Sequence, residues 1–308
     1  LLNFMMAGDT SYFHLMREGV FQISQIYPNA RILIFDYGLL RNDINILSEL
    51  SRRIEVIDWR PNIDDLSLVE NDVNENQKHN LALAFNARRT GFIKRFRKFI
   101  LKRFPKSSFS KKIELKALRF ENLLLQKIKC MQHASQLCEG ERLVFLDADA
   151  ILFETIDDVF DAGADVNLTL ADDLPTWENM SNITINSGVI FFGANSTARN
   201  AFLDAWWHQA LETNEWLREQ ASLVHLLEKE SREIFRVNSS SLLKFNNVKV
   251  KVRFLSCDQF NFIWMENSNP ETFPDARIFH FTSRRQEKKL FWEILNYLRM
   301  RKANEHIT

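Results

Sequence analysis

Residues 142–152 read Arg-Leu-Val-Phe-Leu-Asp-Ala-Asp-Ala-Ile-Leu, which sets two carboxylates, Asp147 and Asp149, one residue apart at the end of an apolar run. A short apolar run of this kind reads as a buried strand, and in an open α/β sheet ligands bind beyond the carboxyl ends of the strands. Two acids at such an end repel each other and are costly beside a dry core unless something positive lies between them. A divalent cation meets that need, because hard carboxylate oxygens suit Mg²⁺ or Mn²⁺. Held by only two carboxylates, such an ion keeps open positions that diphosphate oxygens can fill. The competing reading is a turn in which the aspartates cap a following helix.

Two further polar insertions in apolar strands point the same way. Ile183-Thr184-Ile185-Asn186-Ser187-Gly188-Val189-Ile190-Phe191-Phe192 buries an amide that would cost about 1–3 kcal/mol if unpaired. Gly188 removes a side chain where another group can approach, although a strand bulge satisfied by the backbone explains the same residues. Ala276-Arg277-Ile278-Phe279-His280-Phe281-Thr282 places one imidazole in an apolar strand. Alone, such a histidine is a core residue; beside a two-carboxylate site it becomes a third ligand, and imidazole favours Mn²⁺ over Mg²⁺.

The elements that must position these groups alternate along the chain. Phe4-Met5-Met6, Ile32 to Phe35 and Ile54 to Asp58 read as strands separated by helical stretches, the first helix capped by Thr10. The pattern returns at Leu143 to Leu146, Val166 to Leu170 and Ile185 to Phe192. Short apolar strands alternating with helices indicate an α/β fold with a mostly parallel sheet covered on both faces. The 308 residues suffice for one large or two ordinary domains. Forty basic and forty acidic residues cancel, which argues against a general nucleic-acid binder, so no nucleic-acid partner is expected. Three cysteines, Cys130, Cys138 and Cys257, make neither a disulfide framework nor a cysteine-rich zinc site.

Two blocks interrupt the alternation. Asn62 to Asn76 holds five acids and no base, the composition of a solvated loop. Arg88 to Arg119 holds thirteen basic residues and one acid, Glu114. Within it Phe92, Phe96, Phe99, Ile100 and Phe104 recur at helical spacing, largely opposite Lys94, Arg97, Lys98 and Lys102. Such a helix either lays its Phe stripe on the core or lies on an anionic membrane surface. Lys288 to Lys302 repeats this chemistry with Phe291, Trp292, Leu295 and Leu298.

Taken in order, Leu143 to Leu152, Asn186-Ser187-Gly188 and His280-Phe281 resemble nucleotide-sugar glycosyltransferases of the GT-A fold, especially glycosyltransferase family 8. Met5 to Tyr12 is similar to that family's first strand and nucleotide loop, and Ile34 to Leu39 to its second strand and turn. Glu219-Gln220 before an apolar helix resembles its acid–Gln pair, and Leu255 to Asn261 a segment ahead of the last strand. The resemblance implies a GT-A, Rossmann-like domain over residues 1–285, with a basic helical insertion at about 62–112 and an amphipathic basic helix at 286–308. It implies that Asp147, Asp149 and His280 bind Mn²⁺ (or Mg²⁺) and, through it, the diphosphate of a donor such as a UDP-sugar. Ala7, Gly8 and Asp9 would line the nucleotide, with Tyr12 on its base, and Lys127, in competition with Lys129, would face the donor. Asp172, Asn186, Gly188 and Gln220 would surround the sugar, with Glu219, Gln220 and Asn186 as the catalytic candidates and Trp177 able to stack on an acceptor. The family's Gly and later Lys after the histidine are replaced here by Ser283, Arg284, Arg285 and Gln286.

Two other readings compete with a retaining transfer of sugar to a glycan or lipid-linked glycan. A haloacid-dehalogenase-like phosphatase would use Asp147 as nucleophile and Asp149 as acid/base, with Asp172-Asp173 downstream, but its nucleophile strand normally opens the domain. A degenerate fold that only binds nucleotide would not keep Asp147, Asp149, Asn186, Gln220 and His280 together. The chain begins inside a strand without an initiator Met, which leaves room for an upstream signal or anchor. Sequons at Asn167, Asn179, Asn182, Asn195 and Asn238 argue weakly for a secretory route. The sparse cysteines favour the cytoplasmic face of a membrane.

Overall fold

A computed structural model describes residues 1–308 apart from 71–73, 88–90, 171–183, 231–233, 264–274, 282–291, 293–294, 297 and 301–308. The first half alternates β1 (Leu2–Asp9), α1 (Phe13–Ile26), β2 (Arg31–Gly38), α2 (Arg41–Leu50) and β3 (Ile54–Asp58). Five helices follow: α3 (Arg60–Asp64), α4 (Ser67–Glu70), α5 (Glu75–Ala87), α6 (Gly91–Arg103) and the 30-residue α7 (Ser108–Leu137). Then come β4 (Arg142–Leu146), β5 (Ala150–Leu152), β6 (Val166–Leu170), β7 (Ile185–Phe192), α8 (Ser196–Glu212) and α9 (Arg218–Glu230). After α9 come β8 (Ser240–Phe245), β9 (Val248–Ser256), α10 (Cys257–Phe260), β10 (Phe262–Ile263) and β11 (Ile278–His280).

Eight strands form one sheet in the order β3-β2-β1-β4-β7-β6-β9-β8. The pairs on the β3 side, through β1 and β4, are parallel, while β7 runs antiparallel to both β4 and β6. A smaller sheet, β10-β11-β5, stands beside it. Strand side chains alternate between faces. Met5, Leu33 and Phe145 therefore pack under α7 and α8, while Phe4, Met6, Ile34 and Val144 pack under α1 and α2. Both faces are covered, which is why these strands are apolar throughout. This is the mixed α/β sheet flanked by helices that the alternation predicts.

Two local expectations are corrected. Thr10 does not cap the first helix: Asp9 accepts from Ser11 N, while the Thr10 hydroxyl accepts from Leu40 N and donates to Asp43, bracing the start of α2. Residues 62–76 are not simply a loop, since α3 and α4 lie there and Asn122 of α7 donates to the carbonyls of Asn62, Ile63 and Asp65. Outside the expected strands, β8 and β9 form a hairpin turned by Asn246 and Asn247, both at positive φ. Val248-Lys-Val-Lys-Val-Arg-Phe alternates cleanly after that Asn-Asn turn, the signal that would have found it.

One buried cation ties the site-bearing elements together. Arg199 of α8 is fully buried and donates to the carbonyls of Ser135 and Cys138 at the end of α7, and to that of Glu141 just ahead of β4, at 2.8–3.0 Å. A guanidinium there satisfies carbonyls that the helix leaves unpaired. Burial pulls its pKa down. Arg199→Met should cost at least about 2 kcal/mol, because it orphans the Ser135 and Glu141 carbonyls at about 1–3 kcal/mol each, while Cys138 O keeps its bond from Glu141 N. Urea unfolding followed by tryptophan fluorescence measures it, and Arg199→Lys, with one charge but no fork, should fall between.

Candidate active site

The topology delivers Asp147, Asp149 and His280 to one point. β4 ends at Leu146, so Asp147 leaves the sheet at its carboxyl end, with its amide donating to Gly188 O at 2.8 Å. The chain then turns into β5, whose Ala150 pairs with His280 of antiparallel β11. Phe281 N donates to Asp149 O at 2.8 Å, which locks the two segments together. His280 Nε2 lies 3.1 Å from Asp149 Oδ1 and 3.8 Å from Asp147 Oδ2. One ligand atom from each of the three residues lies within 4.8 Å of the others. Burial pulls the His280 pKa down, but the charge and hydrogen bond of Asp149, then Asp147, outweigh it and the net shift is upward.

The Asn186-Ser187-Gly188 segment is both a bulge and a wall of the site. The β6–β7 register jumps from Leu168↔Ile190 to Thr169↔Asn186, which frees Ser187 and Gly188 from β6 and re-aims them. Asn186 is not an orphaned amide, because its Oδ1 accepts from Gly188 N at 2.9 Å. Its carbonyl accepts from Thr169 Oγ1 at 2.8 Å and from Asn261 Nδ2 at 3.1 Å. Asn261 also donates to Thr169 Oγ1 at 2.8 Å, so both its amide protons are used and its Oδ1 is left facing His280 Nδ1 at 3.0 Å. Nδ1 must then carry a proton, which leaves Nε2 as the nitrogen facing the carboxylates, where its own proton can give way to a cation. Sequence reasoning assigned Asn261 no role; its position just before β10, beside the last strand, was the available signal.

Across the site, α7 and α9 supply the remaining charges. Lys127 Nζ lies 3.0 Å from Asp147 Oδ1 and 3.5 Å from Glu219 Oε1; Lys127 and Glu219 are buried, while Asp147 is partly exposed. Desolvation works against its charge, but Asp147 and Glu219 override it and push its pKa up. Lys129 points elsewhere, over the Trp207 ring. Glu219 is buried and its pKa is raised by desolvation, against the pull of Lys127. Gln220 accepts from Ser187 at 3.3–3.4 Å. The start of α9 is held by Glu121, which accepts from Leu217 N at 3.2 Å and Arg218 N at 3.0 Å. Burial pushes the Glu121 carboxyl up to about 7. Leu217, in the left-handed region at φ 59°, makes the turn that aims Glu219 and Gln220 at the cleft.

These groups line one cleft of about 340 Å³, together with Ala7, Gly8, Asp9 and Tyr12 after β1 and with Tyr37, Phe120, Leu123, Leu124 and Leu217. Gly188, expected beside the sugar, is not among the lining residues; it lies against the His280 ring and Asn186. The sequence-expected residues Ala7, Gly8, Asp9, Tyr12, Lys127, Asp147, Asp149, Asn186, Glu219, Gln220 and His280 thus share a single cavity. Asp172 and Trp177 lie outside the described residues, as do Arg284 and Arg285. The aromatic and aliphatic wall from α7 was not anticipated; its residues sit one to two turns before Lys127 on the same helix, the spacing that could have revealed it. The donor set fits a divalent cation: two carboxylates, an imidazole held in orientation by Asn261 and a third acid, Glu219, lie with the ammonium of Lys127.

Residues 75–291 match the family model described as nucleotide-diphospho-sugar transferase. No curated protein matches the sequence. Among solved structures, the galactosyltransferase LgtC in complex with donor and acceptor sugar analogues is 10% identical, with 91% of this chain and 87% of that chain covered and a TM-score of 0.45. A glycosyltransferase involved in glycosylation of the major capsid of PBCV-1 is 12% identical, with 95% and 98% covered and a TM-score of 0.44. The glycosyltransferase GlyE of Streptococcus pneumoniae TIGR4 is 12% identical, with 92% and 55% covered and a TM-score of 0.42.

Proposed function

The chain belongs to the nucleotide-diphospho-sugar transferase family, and is on that ground a glycosyltransferase; we propose that it uses a divalent cation, Mn²⁺ before Mg²⁺, to move a sugar from a UDP donor to a hydroxyl of a glycan or lipid-linked glycan, with retention at the anomeric carbon. The observation that carries this reading is the meeting of Asp147, Asp149 and His280 in a cleft that the Ala7–Tyr12 turn also lines.

Asp147, Asp149 and the Nε2 of His280 would hold the metal, with Asn261 fixing the ring tautomer. When bound, such an ion neutralises the charge that builds on the departing diphosphate. Lys127 adds a second positive charge at the same end of the cleft, already desolvated and therefore effective. Gly8 offers a bare backbone surface to the nucleotide, while Tyr12 and Tyr37 supply aromatic faces near it. Asn186 and Gln220 carry amides suited to hydrogen-bonding and orienting the sugar hydroxyls. The wall of Phe120, Leu123 and Leu124 limits water at the reacting carbon, which favours an acceptor hydroxyl over hydrolysis.

Thermal unfolding with nucleoside diphosphates, with and without Mn²⁺, tests the donor. UDP with Mn²⁺ at about a hundred times its dissociation constant adds about 2.7 kcal/mol and should raise the melting temperature by several degrees. UDP-sugar consumption should follow the same metal dependence, and NMR of the product anomer reads retention. Absence of any nucleotide-dependent shift, with no sugar nucleotide consumed in Mn²⁺, would overturn the proposal. A phosphatase acting through Asp147 would instead release inorganic phosphate from simple phosphomonoesters.

A further inference from the structure

The basic block does not lay its aromatic stripe on the core. Phe92 is 78% exposed and Phe99 58%, with Ile93 and Phe96 also facing outward, while Leu101 is the buried side chain of α6. The outer rings gather on one another: Phe92 stacks on Phe96 at 6.1 Å, Phe96 meets Phe109 of α7 edge-on at 6.1 Å, and Phe99 meets Phe104 at 6.3 Å. Around them α6 carries Lys94, Arg95, Arg97, Lys98, Lys102 and Arg103 and no acid. Thirteen bases and one acid give residues 88–119 a net charge of +12 in a chain that sums to zero, so the other residues carry −12.

We infer that this face of α6, with the start of α7, docks on an anionic lipid bilayer. Clustered aromatic side chains ringed by lysine and arginine suit the boundary between acyl chains and headgroups, where the rings bury and the cations meet phosphates. An anionic surface attracts this block and repels the acidic remainder, which orients the molecule with α6 inward. A solvated face would not expose a cluster of phenylalanines. In the C-terminal stretch the described Leu295 and Leu298 are buried against Phe279 and Phe281 and Arg299 pairs with Glu18, so these three residues are turned to the protein.

The docked face leads to the cleft along one helix. α7 carries Phe109 at the surface patch and Phe120 at the cleft wall, eleven residues or about 16 Å apart along its axis. A lipid-linked acceptor held in the bilayer would meet the cleft mouth at that distance. This last consequence rests on the transferase reading; the docking itself does not.

Co-sedimentation of the full chain with phosphatidylcholine vesicles, with and without phosphatidylglycerol, tests the inference. Partitioning onto the anionic vesicles is expected, falling as salt shortens the screening length from about 10 Å at 0.1 M to about 3 Å at 1 M. Arg95→Glu/Lys98→Glu/Lys102→Glu should reduce it by about a hundredfold or more, and Phe92→Ser/Phe96→Ser/Phe99→Ser should reduce it independently of salt. Turnover of a water-soluble acceptor should be unchanged in both variants, which separates this surface from the cleft. No partitioning at low salt, equal binding to neutral vesicles, or wild-type binding by both variants would overturn it. So would a wild-type dimer that the Phe variant dissociates, or capture of an oligonucleotide without vesicle binding, because each would give the face another occupant.

Discussion

Asp149→Asn is expected to lower sugar-nucleotide turnover by at least about a hundredfold in Mn²⁺ while leaving the metal-free protein folded. The substitution keeps the shape of the side chain and the backbone bond from Phe281 N to Asp149 O. It removes one of two carboxylates that can offer a charged oxygen to a cation, the other being Asp147. Loss of one preorganised electrostatic group at developing charge typically costs about 2.7–4 kcal/mol of transition-state stabilisation. Asp149 is a cleaner test than Asp147, because Asp147 also pairs with buried Lys127 at 3.0 Å and its loss would leave that ammonium against Glu219 alone. Initial rates and Mn²⁺ binding followed by electron paramagnetic resonance should fall together. Turnover and Mn²⁺ affinity both at wild-type levels would sink the metal assignment.

What the residues declared in advance was set by how local each signal is. The Asp147-Ala148-Asp149 tripeptide follows an uninterrupted apolar run, so its place at a strand's end could be read from neighbours alone. The bringing of His280 to it could not: that depends on β5 turning out of the main sheet to pair with β11, a contact 130 residues apart. Family resemblance supplied that link where periodicity did not. Asn261 shows the limit more sharply, since its amide serves Thr169, Asn186 and His280 at once and nothing in its flanking sequence states this. Arg199 and Glu121 were invisible for a related reason. Each answers backbone groups of a distant helix end, and backbone groups carry no sequence signature. Helices α3 and α4 were missed because the acids of residues 62–76 dominate the composition, while the bond partners that hold the segment sit on α7.

The basic helix illustrates a different boundary. Its amphipathic spacing was plain, yet spacing alone cannot say which way an apolar stripe faces. The structure turns Leu101 inward and leaves Phe92, Phe96 and Phe99 outside, and only then does the charge of the surrounding lysines and arginines bear on a partner.

Gly188→Ala should disable the site as thoroughly as loss of a ligand, without touching one. A Cβ at this position would lie 2.4 Å from His280 Cε1, 2.9 Å from its Nδ1 and 3.0 Å from Asn186 Oδ1. The clash has no cheap relief. The imidazole is pinned by Asn261 at Nδ1 and by Asp149 at Nε2, and Asn186 Oδ1 is tied to the Gly188 amide itself. Backing the ring away would separate Nε2 from the two carboxylates, and a displacement of about 1 Å in such a constellation can cost about a hundredfold in rate. Gly188 sits at a bulge where the chain already leaves its β6 partner, so the sheet beneath can persist while the His280 side of the cleft shifts. The expected result is therefore a folded protein with circular dichroism unchanged, Mn²⁺ affinity down by about 10–100-fold, and turnover reduced by at least as much. Gly8→Ala provides a milder contrast: its Cβ would meet the Met16 terminal methyl at 2.7 Å, a flexible group that can swing aside, and Ala148 Cβ at 3.1 Å, which must give by a few tenths of an ångström, so metal affinity should fall less than in Gly188→Ala. Wild-type Mn²⁺ affinity in Gly188→Ala would mean that His280 is free to move, and would remove the imidazole from the metal set.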